Sequence, residues 1–517
     1  MIKLVSEPAI ATKIMKMQQR VRWQAREIIE RQIDQTCFIL DDGRNGDREF
    51  SFLVIGDSGT GYQKKHHPQR QIAELMLPHH PQSRFMLHTG DVVYLVGSSE
   101  YYPHNFIAPY REFLVGGENH RQIPYNQMTF KLPIFPVPGN HDYYDIPLIF
   151  NLLSIITLPI RRLFRSTIDF DAAWHGSYQG DAYAQAFLDY LKKWRFSGEL
   201  AEHLDQYYTA KTNTGRCLNY QPGYFTRLPN RYYTFNYGGI DFFALDSNTF
   251  NQPQPLPNNP DGDKQRINLK QQRDSLIQRK REIIQTLTKL NSEKMEEAEQ
   301  IDDLEAHLSQ IEEIIVDIDK QLGTVEISND TEQLNWFKER LIASWRNPEV
   351  RGRIVFFHHP PYVTEATKWQ QSQTLTVRKH FAQTLDAVAQ ELGDIPQGRA
   401  LIDLVFNGHA HCLEYIQTLD TGHADSHINW LICGGSGFSL RRQREEGGDL
   451  IDNDGRHLAH SHLFLGRSGS GRQKRRPYSC LRVDVCDGSP PKFRVRPLVA
   501  ERYQGEWHNY EIEPFLI

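Results

Sequence analysis

Six cysteines in 517 residues are few, and none stands in a Cys-x-x-Cys pair. That spacing excludes a zinc knuckle or a dithiol redox motif and fits a reduced, intracellular chain. Neither charge is in marked excess: 59 Lys and Arg stand against 64 Asp and Glu, a formal net of −5. Such a balance leaves no electrostatic footprint for general nucleic-acid binding, and the basic run Arg472, Lys474, Arg475 and Arg476 reads as a solvated loop. The most apolar stretch, 146–160, is too short and too broken by proline to cross a bilayer. Near the N-terminus there is no charged n-region, apolar h-region and small-residue cleavage site in series, so a cytoplasmic location is expected. The glycine-rich Gly56-Asp57-Ser58-Gly59-Thr60-Gly61 is not followed by the Gly-Lys-Ser/Thr of a P-loop, and a Gly-x-Gly-x-x-Gly fingerprint is also missing.

What the chain does have is 39% hydrophobic residues, enough for a sizeable core, and 22 histidines, several at the ends of apolar runs. Its length exceeds the size at which single cores stop growing, so one large domain with insertions or two domains are expected. Residues 1–35 place Ile10, Ile14, Met17, Val21, Ile28 and Ile29 opposite a charged face, which predicts an amphipathic helix packed on the main body, with a membrane-surface helix as the alternative. Residues 145–230 read as an insertion. Its apolar part, 146–165, is either a buried helix or lid over a site, or an interfacial membrane foot. A Pro- and Asn-rich break at 251–262 precedes 264–322, where Ile and Leu recur at intervals of three and four among Glu, Lys, Gln and Arg, the pattern of a coiled coil. A protruding helical hairpin serving as a structural, oligomerisation or partner-binding arm is expected there. The division is thus 1–48, N-terminal helix and lead-in; 49–250, first part of the main domain; 251–329, linker and coiled coil; and 330–517, second part of the main domain.

The chemistry lies at strand ends. Phe52-Leu53-Val54-Ile55 runs into Gly56-Asp57. Phe85-Met86-Leu87 runs into His88-Thr89-Gly90-Asp91-Val92-Val93-Tyr94. Ile134-Phe135-Pro136-Val137 empties into Pro138-Gly139-Asn140-His141-Asp142. Ile354-Val355-Phe356-Phe357 ends in His358-His359, and a strand over 401–406 ends in Asn407-Gly408-His409-Ala410-His411. In open α/β sheets, ligands bind beyond the carboxyl ends of the strands. Each polar group alone has an ordinary explanation, Asp91 as a turn cap and Pro-Gly-Asn as a plain turn. Five strand exits that each supply an oxygen or imidazole donor fit poorly with chance. A carboxylate can bridge two hard cations, and two metals about 3.5–4 Å apart clamp a phosphoryl group during in-line displacement. Asp91 is the candidate bridge and Tyr94 a ligand to one of the pair. The Asn140 oxygen suits a hard cation, and His141 suits proton transfer or phosphate contact. His409 and His411, two apart in extended chain, project to one side.

The order Gly56-Asp57-x-Gly59, Gly90-Asp91-x-x-Tyr94, Gly139-Asn140-His141-Asp142, Val355-x-x-His358 and Gly408-His409-x-His411 resembles the calcineurin-like metallophosphoesterase superfamily. The tyrosine resembles that of its purple acid phosphatase branch, where it ligates a ferric ion; many other members instead carry a histidine at the position of Gly59. The resemblance spans 56–411. It implies an α/β (α+β) fold, a four-layer αββα sandwich, here interrupted by the helical hairpin. It also implies hydrolysis of a phosphate ester, with a phosphomonoester favoured, by a metal-bound hydroxide at a dinuclear centre. One metal would be held by Asp57, Asp91, Tyr94 and His411, the other by Asp91, Asn140, His358 and His409. The phenolate suits Fe(III), and the second set suits divalent Fe, Zn or Mn. His141 would protonate the leaving group or bond the phosphoryl oxygens, Asp142 would orient His141, and His359 would either contact substrate or serve structure. The rival readings are a phosphodiesterase or nuclease on the same site, and a non-enzymatic scaffold built on the coiled coil. The absent signal pattern, the 145–230 insertion and the arm bear on substrate and compartment rather than on the metal site.

Overall fold

The computed structural model describes residues 6–60, 66–145, 176–290, 295–326, 328–452 and 454–517. Two sheets dominate it. In the smaller, Phe50–Ile55, Ser83–His88 and Ile134–Pro136 run parallel, with Ile55 opposite His88 and Leu87 opposite Phe135. The C-terminal hairpin Arg475–Val485 and Phe493–Tyr503 adds antiparallel to Phe50–Ile55, and Glu506–Glu511 and Phe515–Leu516 pair with the hairpin's second strand. Early and late chain thus share one sheet. The larger sheet has eleven strands around a parallel block of Ile240–Ala244, Gly352–Phe357, Leu404–Asn407 and Asn429–Cys433.

Side-chain alternation explains the layering. In Gly352–Phe357, Ile354 and Phe356 join the core between the sheets, whereas Val355 and Phe357 face the other way, into a second core with Phe337, Leu341, Phe381 and Leu385. Those last four belong to the helices Thr331–Arg346 and Ser372–Leu392. A strand buried on both faces must be apolar at successive positions, as this one is. The inter-sheet core is aromatic: Phe52 and Phe85 of the smaller sheet meet Phe242 edge-on at 5.7 and 5.3 Å, and Phe235 stacks on Phe242 at 4.6 Å. Each such ring contributes about 1.5–3 kcal/mol by burial alone. On the smaller sheet, the helix Pro68–Met76 buries Ile72, Ala73 and Met76. The result is the mixed α/β sandwich expected from the sequence.

Three expectations change. Residues 1–35 do not form one helix: Ile10–Arg20 and Arg26–Ile29 are helical, and Ile33–Leu40 is a strand of the larger sheet, parallel to Gly215–Tyr220. Its apolar residues, Phe38 and Leu40, lie in the inter-sheet core, so tertiary burial decides the conformation. The 145–230 region is not wholly an add-on either, because Gly215–Tyr220 and Ala210–Thr212 are strands of the same sheet and Tyr183, Phe187, Leu200 and Leu204 join the main core. Its apolar part, 146–165, lies outside the described residues. Finally, Pro260–Leu287 and Met295–Gly323 are helices that pack on each other, but the second lies against the body rather than projecting from it. Arg441 donates to Ala306 O at 2.9 Å, and Ser372 Oγ donates to Asp317 at 2.6 Å. Among the described residues no helix is long and apolar enough to cross a membrane.

Candidate metal centre

The candidate ligands come from both sheets. Asp57, Asp91 and Asn140 follow the three parallel strands of the smaller sheet, and His358, His409 and His411 follow two central strands of the larger. Each of these strands is buried, and each ends where its chain turns across the seam between the sheets. The turns are sharp: Asp57, Asp91 and His409 adopt left-handed backbone at φ 51°, 55° and 65°. That conformation costs an L-residue about 1–2 kcal/mol, and such residues cluster at functional sites. The adjacent glycines permit the close approach. A Cβ on Gly139 would lie 2.1 Å from Asp91 Oδ1, and one on Gly408 would lie 2.6 Å from Asp57 Oδ2.

The polar atoms converge in two overlapping groups. Tyr94 OH lies 2.9 Å from Asp57 Oδ1, 2.7 Å from Asp91 Oδ2 and 3.1 Å from His411 Nε2. A phenol donates one proton, so at most one of these three close contacts is its own hydrogen bond and the others need a proton or a cation from elsewhere. In the second group, His358 Nε2 lies 2.9 Å from Asn140 Oδ1 and 3.4 Å from Asp91 Oδ2. The other nitrogen of His358 is 2.9 Å from Thr89 O. A neutral ring that donates there aims a lone pair at two further acceptors, an arrangement that calls for a proton or a metal ion between them. His409 approaches the same space: its backbone N–H donates to Asp57 Oδ2 at 2.8 Å, and its ring lies 5.0 Å from that of His358. Among the described residues, two sets have ligand atoms within 4.8 Å of one another, Asp57 with Asp91 and His358, and His358 with His359 and His409.

Burial sharpens the electrostatics. Asp57, Tyr94 and His358 are fully buried and Asp91 is 1% exposed. Burial, with the charge of Asp91 against it, pushes the Asp57 carboxyl well above the usual range. Burial opposes ionisation of Asp91 too, but His358 and His141 outweigh it and hold that carboxyl low. Burial and the two carboxylates push the Tyr94 phenol up, and although burial disfavours a charged His358, Asp91 and Asp57 raise it to about 9. The protonated donors are therefore held against their carboxylate neighbours, and bound cations would take over that role and release protons. The donor set, carboxylate, phenol, amide oxygen and imidazole, fits hard or borderline metals.

The remaining predicted residues are placed as follows. His141 is partly exposed, its backbone N–H donates to Asp91 Oδ1 at 2.8 Å, and its ring Nδ1 lies 2.5 Å from Leu95 O. Its ring is 4.1 Å from that of Tyr94. Asp142 does not orient it, which corrects the expectation. The Asp142 carboxylate instead accepts from the backbone N–H groups of Gly139, Asp91 and Val92 at 2.9, 3.0 and 3.2 Å. Three orphan donors in a tight turn are a stronger claim on a buried carboxylate than a neighbouring ring already held by a carbonyl. His359 is fully buried, with Nδ1 2.7 Å from Ser247 Oγ and Nε2 3.3 Å from Asn251 Nδ2, so both ring nitrogens are engaged and the structural alternative fits it better than substrate contact. Sequence reasoning missed Gln373, whose amide is 2.8 Å from His409 Nε2, and Phe438, which stacks on Tyr94 at 4.0 Å. Gln373 lies in the first turn of the helix Ser372–Leu392, and Phe438 follows the glycine turn after Asn429–Cys433 but carries no ligating atom, so neither was marked.

Comparison with known proteins places the chain in context. Residues 50–309 match the family model of the calcineurin-like phosphoesterases. No curated protein sequence matches. Among solved structures, the fold is similar to a purple acid phosphatase from yellow lupin (Lupinus luteus) seeds, at 11% identity and a TM-score of 0.41, covering 92% of this chain and 54% of that one. The chain thus spans about half the length of the lupin protein. It is also similar to GAP50, the anchor in the inner membrane complex of Plasmodium, at 11% identity, TM-score 0.36 and coverage of 90% and 89%. A dimetal phosphatase from Danio rerio gives 11%, 0.33, 90% and 98%.

Proposed function

The chain belongs to the calcineurin-like phosphoesterase family and is a metal-dependent phosphoester hydrolase; from that premise we propose that it hydrolyses phosphomonoesters at a dinuclear centre of the purple acid phosphatase type. One metal, ferric iron, would be held by Asp57, Asp91, Tyr94 and His411. A divalent Fe, Zn or Mn would be held by Asp91, Asn140, His358 and His409. The observation that carries this reading is the sharing of Asp91 Oδ2, 2.7 Å from Tyr94 OH and 3.4 Å from His358 Nε2. When bound, the cations supply hydroxide near neutral pH and offset the charge of the phosphoryl oxygens. Residues 49–250 and 330–517 are read as two parts of one phosphoesterase domain, interrupted by 251–329.

The chain's own residues do the rest. The Asp142 carboxylate fixes the backbone of Gly139, Asp91 and Val92, and so sets the position of the bridging carboxylate. Leu95 O accepts the Nδ1 proton of His141, which leaves Nε2 as the nitrogen that hands a proton to the leaving alkoxide. Burial lowers the His141 pKa, with the Asp91 charge working against that. With Nδ1–H held by Leu95 O, a ring of lowered basicity carries a second proton on Nε2 only under acid conditions, so donation from Nε2 belongs to the acid side of the pH range. Phe438 and Tyr94, stacked beside His141, form an apolar wall against which the ester is protected from bulk water.

Metal analysis of the purified protein followed by a panel of phosphate esters tests the assignment. Two metals per chain, iron among them, and faster turnover of a phosphomonoester than of its bis-ester analogue are expected. Preference for the bis-ester would overturn the substrate class, and one metal per chain would overturn the dinuclear centre.

A further inference from the structure

Two buried cations flank the proposed centre without belonging to it. Arg441 is fully buried and Lys368 is 3% exposed. The Arg441 backbone N–H donates to His411 O at 2.9 Å, which ties it to a candidate ligand. Lys368 lies just before Gln371 and Gln373, whose amides lie 3.4 and 2.8 Å from His409 Nε2. The Lys368 charge bears on His141, His409 and His411 alike.

One carboxylate answers both cations, and it comes from the inserted hairpin. Glu313, in the helix Met295–Gly323, is 2.8 Å from Lys368 Nζ through Oε2 and 2.8 Å from Arg441 Nη2 through Oε1. Burial disfavours its charge, but Lys368 and Arg441 outweigh that and hold the carboxyl low. Arg441 also donates to Ala306 O and Ser309 Oγ of the same helix, while its Nε has no partner among the described residues. The other acid facing the pair, Glu365, is fully buried and its carboxyl is pushed up, so it neutralises them less.

The helix is docked by polar contacts. Asp317 accepts from Ser372, Lys320 pairs with Glu7 at 3.3 Å, and Asp303 pairs with Lys474 at 2.8 Å. Its buried apolar residues among those described, Ala306, Ile311 and Ile318, belong to neither of the two hydrophobic cores. An element held this way separates from the body at lower cost than one sealed by apolar packing, because water and an incoming anion can replace its hydrogen bonds.

We propose that Lys368 and Arg441 form an oxyanion subsite beside the metal centre, and that Glu313 of the inserted helix occupies it in place of a phosphate group. Substrate anion and helix then compete for the same two cations, and the hairpin is a self-inhibiting plug rather than an arm for partners. The proposal rests on the metal-centre reading above.

The test uses the full-length, metal-loaded protein and inorganic phosphate, followed by calorimetry and by hydrogen exchange of 303–320. Glu313→Gln, which keeps the shape and removes the charge, is expected to tighten phosphate about tenfold, the scale of an ordinary coupling between competing contacts. Adding Lys368→Gln or Arg441→Gln to that variant removes the gain. In the wild type, phosphate speeds exchange of the helix, a readout that stands even if Glu313→Gln does not fold. Unchanged or weaker phosphate binding in Glu313→Gln, or a helix whose exchange ignores phosphate, overturns the plug. A metal-loaded wild type that neither binds phosphate nor turns over a phosphomonoester overturns the centre instead.

Discussion

Replacing Tyr94 by phenylalanine removes a single oxygen. The ring keeps its stack on Phe438, at 4.0 Å and 10° between planes, so the fold has no reason to change. What is lost is the phenol at 2.9 Å from Asp57, 2.7 Å from Asp91 and 3.1 Å from His411. In the metal-free protein only one of those contacts carries the phenol proton, so the loss is one hydrogen bond to a charged group, about 1.5–3 kcal/mol. The unfolding entropy of 517 residues is on the order of 1 kcal/mol/K. Metal-free Tyr94→Phe should therefore melt only about 1–3 °C lower. The iron-loaded protein should change far more, because on the proposed assignment the substitution removes one of four ligands and the one that would give a ferric ion its colour. Altering a group that merely supports a ligand costs about 10–100-fold in affinity, so iron binding at this position should weaken by at least about 100-fold. Titration of iron into both proteins, followed by visible absorbance and equilibrium dialysis, reads both effects. A colourless iron-loaded wild type, or a variant that keeps the wild-type band, would refute the ferric phenolate.

His141→Ala should keep both metals and lose about 10²–10⁴-fold in turnover of a phosphomonoester; metal loss in that variant would make the ring a ligand. Asp91→Ala should abolish binding of both metals together, since its Oδ2 faces both groups; retention of one at full affinity by dialysis would deny the bridge. Glu414 offers a pH test away from the centre. It is fully buried, and burial raises its carboxyl to about 7 despite hydrogen bonds from Thr364. The folded state thus holds a proton that the unfolded chain releases near 4.5, so stability falls as pH rises from about 4.5 to 7, by up to about 3 kcal/mol. Glu414→Gln should flatten that part of the melting-temperature profile, and an unchanged slope would count against it.

Much of this arrangement was legible before any coordinates. The strand exits are conspicuous because a buried apolar run that stops at Asp, Asn or His has no packing reason to do so, and all five meet at one seam. The central strands and the helices after 330 follow from their periodicity. What could not be read is what depends on where distant segments touch. Ile33–Leu40 carries too little pattern to outweigh the helical spacing before it, and pairing with Gly215–Tyr220 on one side and Tyr233–Tyr237 on the other makes it a strand. The hairpin's helices are evident from Ile and Leu spacing, but their docking is not, since Glu313, Lys368 and Arg441 are far apart in sequence and individually ordinary. Asp142 misled for a related reason: adjacency to His141 suggested a partner, while the turn's own amides had the prior claim.

The seam has a consequence for how the molecule is made. Four candidate donors, Asp57, Asp91, Tyr94 and Asn140, leave the ribosome well before the other three, His358, His409 and His411, and the two groups ride on different sheets. An emerging N-terminal half can offer carboxylates but no imidazole from the second sheet, so it grips a cation weakly. On the proposed ligand assignment, tight uptake would wait for the late strands to dock, and the ions would then act as rivets across two plates. Chelation during refolding should accordingly leave each sheet's own pairing intact and loosen the join between them, a separation that tryptophan fluorescence and amide exchange can follow strand by strand.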